Sequence, residues 1–403
     1  MSKNKANKRI KWAILGVVLA LLTAACAVAA YTVFLHEPDN NNETPPVFDT
    51  EGLLNTETSA SPETGEESQP ADTEEAEETE EPAEEEDKEY MYNFLILGKD
   101  RVALNTDVIM LMNFNVKTGK MAIMQLPRDT YVLIDDYGHK LNAVYGNFYN
   151  EGVAKKEKDP EDYGLNKLKT VLEQNLCLKI HYYAMVNLEG FRNIVDILGG
   201  VEVDIPADMD YVDDDQNLSI HLKKGKQLLN GEKAEMFVRF RSGYVQADIG
   251  RMDAQKIFMS ALLKEVKDHL NLTNAVKIAK EVFENIKTDV ALDDMVFFAK
   301  KLIGMDLTNM TMMTATGYSP APPPGYVWFY VINREGTRQL INKHFNIYDF
   351  EITDSIFDKN RIFSGKYATY LTPYYNASPE NLIGGDEQSA EDIMGGAIDI
   401  PRT

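Results

Sequence analysis

Apolar and polar positions divide the chain into three stretches with different patterning. Residues 12–35, WAILGVVLALLTAACAVAAYTVFL, run for 24 positions without a charge. As a helix rising ~1.5 Å per residue, that run spans a hydrocarbon layer of ~30 Å. Residues 37–89 carry few apolar groups, and ordered periodicity begins only at Tyr90. YNFLILG (92–98) reads as a buried strand ending at a glycine. DVIMLMNFNV (107–116) and KMAIMQL (120–126), joined through Lys117, Thr118 and Gly119, predict a hairpin. In LNKLKTVLEQNL (165–176) the spacing of Leu165, Leu168, Leu172 and Leu176 predicts a helix. NLEGFRNIVDILGG (187–200) predicts another, stopped by Gly199 and Gly200. VEVDI (201–205) reads as a strand halted by Pro206. RMDAQKIFMSALLKEVKDHL (251–270) predicts a long amphipathic helix. TNAVKIAKEVFENI (273–286) follows with Thr273 as its N-cap, then DDMVFFAKKLIG (293–304) and a late strand, YVWFYVI (326–332). Strands interleaved with helices predict an α/β (α+β) sandwich. Its mixed central sheet is flanked by helices and preceded by one transmembrane helix and a disordered acidic linker.

Charge sharpens this division. Lys3, Lys5, Lys8, Arg9 and Lys11 precede the apolar run, and such a flank holds the N-terminus in the cytoplasm and sends the rest across. The run exceeds the ~7–15 apolar residues of a cleaved signal peptide. Apolar residues continue for nine positions beyond Cys26, which disfavours a lipid-modified cysteine there. An uncleaved single-pass anchor with an extracellular C-terminal domain is the expected topology. Of the net charge of −23, residues 37–89 hold −20, with 21 acidic residues against Lys88 alone. Without that stretch and the five N-terminal cations, residues 90–403 carry −8. The acidic segment cannot bury enough apolar surface to offset its ordering entropy, so it reads as a spacer. The balance excludes nucleic acid as a partner, because phosphate backbones demand a basic surface. The only cysteines, Cys26 and Cys177, lie on opposite sides of the linker. The expected division is a cytoplasmic tip at 1–11, the anchor at 12–35, the linker at 36–89, a domain at 90–348 and a tail at 349–403 to which no role is assigned.

Three segments combine polar chemistry with rigid placement. GKDRVALNTD sets Asp100 and Asp107 at the two ends of one loop between strands, where paired carboxylates can share a hard cation such as Mg²⁺. LPRDTYVLIDDYGHKLNAVYG carries Arg128 and Asp129 after a buried strand, with Lys140 and Asn142 further on; a salt-bridged turn is the plain alternative. MFVRFRSGYVQADIGRMDAQ places Arg239 and Arg241 two apart, on one face if that segment is extended. Arg251 then opens the long helix with Gln255 one turn on, and Asp248 sits in its N-cap region. A cation in a first helical turn opposes the helix dipole, which a bound anion would explain. A charge network with Asp248, Glu235 and Asp253 is the competing explanation. The six histidines show no metal-binding spacing, and there is no nucleophile elbow or P-loop.

Taken together and in order, FLILGKD, TDVIMLMNFN, QLPRDTYV, KLNAVYG, GFRNIVDILGGVEVDI, KKGKQLLNGEKAEMFVRFR and ADIGRMDAQ resemble the LytR–CpsA–Psr family of bacterial cell-wall ligases, over about residues 91–345. The resemblance implies a membrane-anchored phosphotransferase that moves a glycopolymer from a polyprenyl-pyrophosphate carrier onto peptidoglycan. Its partners would be that lipid-linked glycan, peptidoglycan and the bilayer. It implies that Asp100 and Asp107 hold Mg²⁺ or Mn²⁺ against the pyrophosphate. Arg128, Arg239, Arg241 and Arg251 would grip the phosphate oxygens with help from Gln255, and Lys140 and Asn142 would complete the substrate set. Asp248 would orient Arg251 or activate the acceptor hydroxyl. The chain departs from the family pattern at Asn105 and Thr106, where many relatives have Arg-Ser, and at Ala254, where an arginine is frequent. A pyrophosphatase using the same residues and a non-catalytic lipid-phosphate scaffold are the competing readings.

Overall fold

The structure, a computed structural model, describes residues 37–38, 88–99, 104–134, 137–213, 218–241, 247–271, 274–359, 363, 365–377, 382–389 and 392–393. The anchor expected at 12–35 and nearly all of the acidic linker lie outside the described residues. Among those described, no helix is long and apolar enough to cross a membrane.

After a short 3-10 turn, the chain forms β1 (Met91–Lys99), β2 (Thr106–Asn115), β3 (Met121–Gln125) and a hairpin of β4 (Tyr131–Ile134) and β5 (Tyr137–Lys140). Helices α1 (Leu141–Lys155) and α2 (Pro160–Leu176) lead to β6 (Tyr182–Val186), α3 (Leu188–Ile197) and β7 (Val201–Ile205). A second hairpin, β8 (Met209–Asp213) and β9 (Leu218–Leu222), precedes β10 (Gly225–Leu229), α4 (Gly231–Arg239), α5 (Ala247–His269) and α6 (Ala275–Phe283). The chain continues through β11 (Lys287–Thr288), α7 (Leu292–Ile303), β12 (Met310–Thr314), β13 (Gly317–Tyr318) and β14 (Val331–Ile332). It ends with α8 (Arg334–His344), α9 (Asp354–Lys359), α10 (Gly365–Tyr375) and β15 (Gln388–Ser389).

Seven strands make one sheet in the order β11-β6-β1-β2-β3-β12-β15. β1, β3, β6 and β12 run one way and β2 runs against them. Both faces are covered, which is why the central strands read as unbroken apolar runs. Along β1, Leu95 and Leu97 enter the cluster shared with α1, α2 and α8, and Phe94 enters the one shared with α4, α5 and α7. Asparagine caps fix several helix starts: Asn187, Asn230 and Asn333 each accept the backbone N–H three residues on. Gly199 and Gly200, at φ +87° and +106°, end α3 as the sequence predicts.

Several expectations change. The segment 326–332 contributes only Val331–Ile332 as a strand, because Val327 and Trp328 face solvent. The N-cap position of α6 is Asn274, and Thr273, expected there, lies outside the described residues. Over residues 251–256 α5 is buried on most sides, with Arg251, Met252, Ala254, Gln255 and Lys256 inside and Asp253 outside, so the helix is amphipathic only in its later half. The tail is part of the fold, since α10 packs on Tyr131 and Phe329 and β15 pairs with β12.

One buried polar contact ties the sheet to the helical layer. The amide of Asn93 donates to the carbonyls of Lys179 (2.8 Å) and Phe345 (2.9 Å) and accepts from Asn113 (2.7 Å). Its backbone N–H donates to Nδ1 of His181 at 2.9 Å. Burial, with Lys179 and Lys169 nearby, pushes the His181 pKa down to about 3. Below the ordinary histidine range the unfolded chain takes up a proton that the folded chain refuses, so this stability is lost as pH falls from about 6.5 toward 3. Urea unfolding at pH 7 and pH 4 is expected to show His181→Asn losing about 3 kcal/mol less than the wild type over that interval.

Candidate functional site

The parallel strands end on one edge of the sheet, the edge at which open α/β sheets receive ligands. A cavity of about 760 Å³ opens there, lined by the ends of β1 and β6, the start of β2, the loop after β3, the start of α1, and faces of α3, α4 and α5.

Each polar group is placed by its element. Asp107 is the second residue of β2, beside the end of β1 through the Lys99–Thr106 pairing. Arg128 and Asp129 follow β3, and the first amides of α1 hold that loop. Asn142 N–H donates to the Arg128 carbonyl (2.9 Å) and Leu141 N–H to that of Thr130 (2.8 Å). On α5, Arg251, Gln255, Phe258 and Met259 fall on one stripe, which passes from cation to amide to apolar groups along the helix. α3 and α4 approach so closely that a Cβ at Gly231 would lie 2.4 Å from the Arg192 carbonyl oxygen. That approach lets Glu235 of α4, 4% exposed in its side chain, bind both Arg192 of α3 and Arg239, the latter at 2.8 Å.

Lys99, Arg128, Lys140, Arg239, Arg241 and Arg251 line the cavity against Asp107 and Asp129. Arg128 donates to Asp107 at 3.0 Å, and Arg241 lies 3.8 Å from the other oxygen of the same carboxylate. Lys140 pairs with Asp129 at 2.9 Å. Gln255 accepts from Gln125 at 2.7 Å, which orients its amide. Met110, Val186, Phe191, Leu218, Phe258 and Met259 supply an apolar part of the same lining. The arrangement can bind a polyanion joined to a long apolar group, with charge-assisted hydrogen bonds at one end and burial at the other.

The structure therefore brings together Asp107, Arg128, Lys140, Asn142, Arg239, Arg241, Arg251 and Gln255. Asp100 lies outside the described residues, and so does the side chain of Asp248, whose backbone is in the first turn of α5. Two local expectations are corrected. Arg239 and Arg241 do not share a strand: Arg239 is the last residue of α4, where the i,i+4 pair with Glu235 favours helix. Arg251 does not open α5, which begins one turn earlier at Ala247. Of the competing charge network, Glu235 is engaged, whereas Asp253 pairs with Lys256 at 2.8 Å. Among the described residues no three metal-ligating side chains cluster. Asn105 lines the cavity, and Thr106 is buried with its hydroxyl 3.4 Å from the Asn142 carbonyl. Ala254 is fully buried in the apolar cluster beneath the sheet. Sequence reasoning missed Tyr211, which lines the cavity from the β8–β9 hairpin. The alternation of Met209 and Tyr211, and of Leu218, Ile220 and Leu222, was the available signal.

The sequence profile of the LytR_cpsA_psr family matches residues 56–344. The chain is 27% identical over 270 residues to the polyisoprenyl-teichoic acid–peptidoglycan teichoic acid transferase TagV of Bacillus subtilis (strain 168), covering 64% of this chain and 65% of that protein. It is 28% identical over 247 residues to the transferase of the same description, TagU, of Oceanobacillus iheyensis, covering 60% and 72%. The fold is similar to that of the crystal structure of B. subtilis TagV, with a TM-score of 0.53 at 24% identity, covering 63% of this chain and 96% of that one.

Removing the buried carboxylate tests how the clamp is held. Glu235→Ala is expected to lower stability by about 3 kcal/mol, because Arg192 and Arg239 lose the charge that neutralises them. Urea denaturation measures that loss.

Proposed function

The chain belongs to the LytR–CpsA–Psr family, and from that premise we propose that it is a membrane-anchored phosphotransferase. It moves a glycopolymer from a polyprenyl-pyrophosphate carrier onto peptidoglycan. One observation carries the reading: six cations and a set of apolar side chains line one cavity. A pyrophosphate joined to a polyprenyl chain has that same division of chemistry. The relatives are named as transferases of teichoic acid from a polyisoprenyl carrier to peptidoglycan, which supports this donor and acceptor class.

Phosphoryl transfer asks for positioning and neutralisation of charge more than for covalent help. In this reading Arg128, Arg239, Arg241 and Arg251 bind the pyrophosphate oxygens, with Lys140, Asn142 and Gln255 fixing their orientation. An acceptor hydroxyl attacks the phosphorus that bears the glycan and loses its proton. The bond to the bridging oxygen breaks, and polyprenyl phosphate leaves with that oxygen. Asp248, three residues before Arg251 on α5, orients that arginine or takes the proton.

A divalent cation belongs to this reading. One oxygen of Asp107 is at ion-pair rather than hydrogen-bond distance from Arg241, and Mg²⁺ typically takes one or two carboxylates together with phosphate oxygens. Asp107 and Asp100 would hold Mg²⁺ or Mn²⁺, which would supply charge neutralisation at the pyrophosphate. The apolar 12–35 run keeps the domain at the outer face of the membrane, where a lipid-linked donor is within reach.

The test incubates the full chain in detergent with polyprenyl-pyrophosphate glycan and peptidoglycan fragments, with Mg²⁺ or with chelator, and seeks the linked product by mass spectrometry. Product that requires the metal is expected. Free glycan phosphate without linkage would point to hydrolysis, and tight donor binding without turnover would point to a scaffold. Arg241→Ala is expected to cut donor turnover at least ~100-fold while the unfolding midpoint stays put.

A further inference from the structure

Of the six cations that line the cavity, Lys99 is the one to which the phosphotransferase reading gives no role. It is the last residue of β1, with Thr106 as its ladder partner on β2 and a shift of register between Gly98 and Lys99. On the other side, Gly98 pairs with Val186, the last residue of β6. Lys99 therefore stands at the ligand-receiving edge of the sheet, between the strands that bring Asp107 and Asn187 into the same lining.

Two groups hold its side chain. The ammonium lies 3.2 Å from Glu161 on α2 and 5.6 Å from the centroid of the Tyr145 ring on α1. Tyr145 is fully buried, whereas Glu161 is 42% exposed in its side chain and is not part of the cavity lining. The carboxylates that hold other cavity cations are placed differently. Asp107 and Asp129 line the cavity together with the cations they pair, and Glu235 is 4% exposed. An ion pair with a carboxylate as open as Glu161 contributes little. Glu161 also lies in the first turn of α2, where the helix dipole favours negative charge whether or not the ammonium is beside it. Parting the pair leaves Glu161 in water, and the flexible four-carbon stem of Lys99 lets its ammonium turn about a fixed Cα.

We propose that Lys99 is a further donor-binding residue, whose ammonium exchanges Glu161 for a phosphate oxygen of the polyprenyl pyrophosphate. The inference rests on the phosphotransferase reading for the identity of that donor. Lysine binds phosphate as a compact point charge, with no fork geometry to satisfy. Glu161 and the donor then compete for one ammonium, so Glu161 restrains donor affinity. Removing the Glu161 charge and removing Lys99 change binding in opposite directions. A brace between β1 and α2 would need both partners, and losing either one would act alike.

The probe is geranyl pyrophosphate, titrated by calorimetry into the full chain in detergent. Lys99→Met is expected to weaken its binding about tenfold, with Lys99→Arg recovering most of the loss. Glu161→Gln is expected to tighten binding about threefold, and to have no effect when combined with Lys99→Met. Lys99→Met binding the probe as the wild type does overturns the proposal. So does Glu161→Gln leaving binding unchanged or weakened, a result that decides the matter even if Lys99→Met fails to fold. Loss of binding in Arg241→Ala with none in Lys99→Met sinks the proposal and leaves the phosphotransferase reading standing. The expected pattern from a wild type that forms no linked product keeps Lys99 as a donor ligand and sinks that reading instead. A wild type that does not bind the probe overturns both.

Discussion

Cations gathered around one cavity repel one another, and the fold has to hold them there before any ligand arrives. Two like charges ~6 Å apart cost about 3 kcal/mol at the effective dielectric of a protein surface. The described residues answer this with internal carboxylates. Asp107 lies between Arg128 and Arg241, Asp129 takes Lys140, and Glu161 takes Lys99 at 3.2 Å. Glu235, the most buried of these acids, joins Arg239 to Arg192 on the neighbouring helix. Close passage of α3 over α4, which only a glycine at 231 permits, follows from that requirement.

The sheet supplies the stiffness that such a site needs. Its central strands are buried on both faces, between two apolar clusters that reach into the helical layers. Interiors of this kind are close-packed and deform little, so the ends of β1, β3 and β6 are fixed points. α5 adds the fourth wall, and one stripe of that helix carries both kinds of chemistry the cavity offers. Asn93 closes the opposite end, where three amide contacts and His181 leave no polar group of that asparagine unmet.

Much of this was legible in the sequence. β1, the β2–β3 hairpin, the helices at 160–176, 188–197 and 292–303, and β7 announce themselves through runs and spacings that burial dictates. Site residues were legible as cations next to strand and helix ends. The Arg239–Arg241 segment misled because alternate spacing resembles a strand, whereas Glu235 four residues back pins the first arginine to a helix. YVWFYVI misled because aromatic content signals strand whether or not the rings are buried, and here Trp328 is not. The β8–β9 hairpin was hidden by the acidic residues along its first strand, Asp210 and Asp213, although Met209, Ile220 and Leu222 fill its inner face. The tail could not be placed because its partners, Tyr131 and Phe329, lie far back along the chain.

β15 pairs with Thr311 and Met312 of β12, and at the opposite side of the sheet β11 pairs two residues with β6. Both flanks of the sheet are therefore stubs. A long bare flank offers a row of unmet amides and carbonyls to any passing strand and invites self-association. By folding back to cover β12, the C-terminal segment blunts that stickiness, so a chain cut where the family resemblance stops would keep its cation cluster yet gain an adhesive edge.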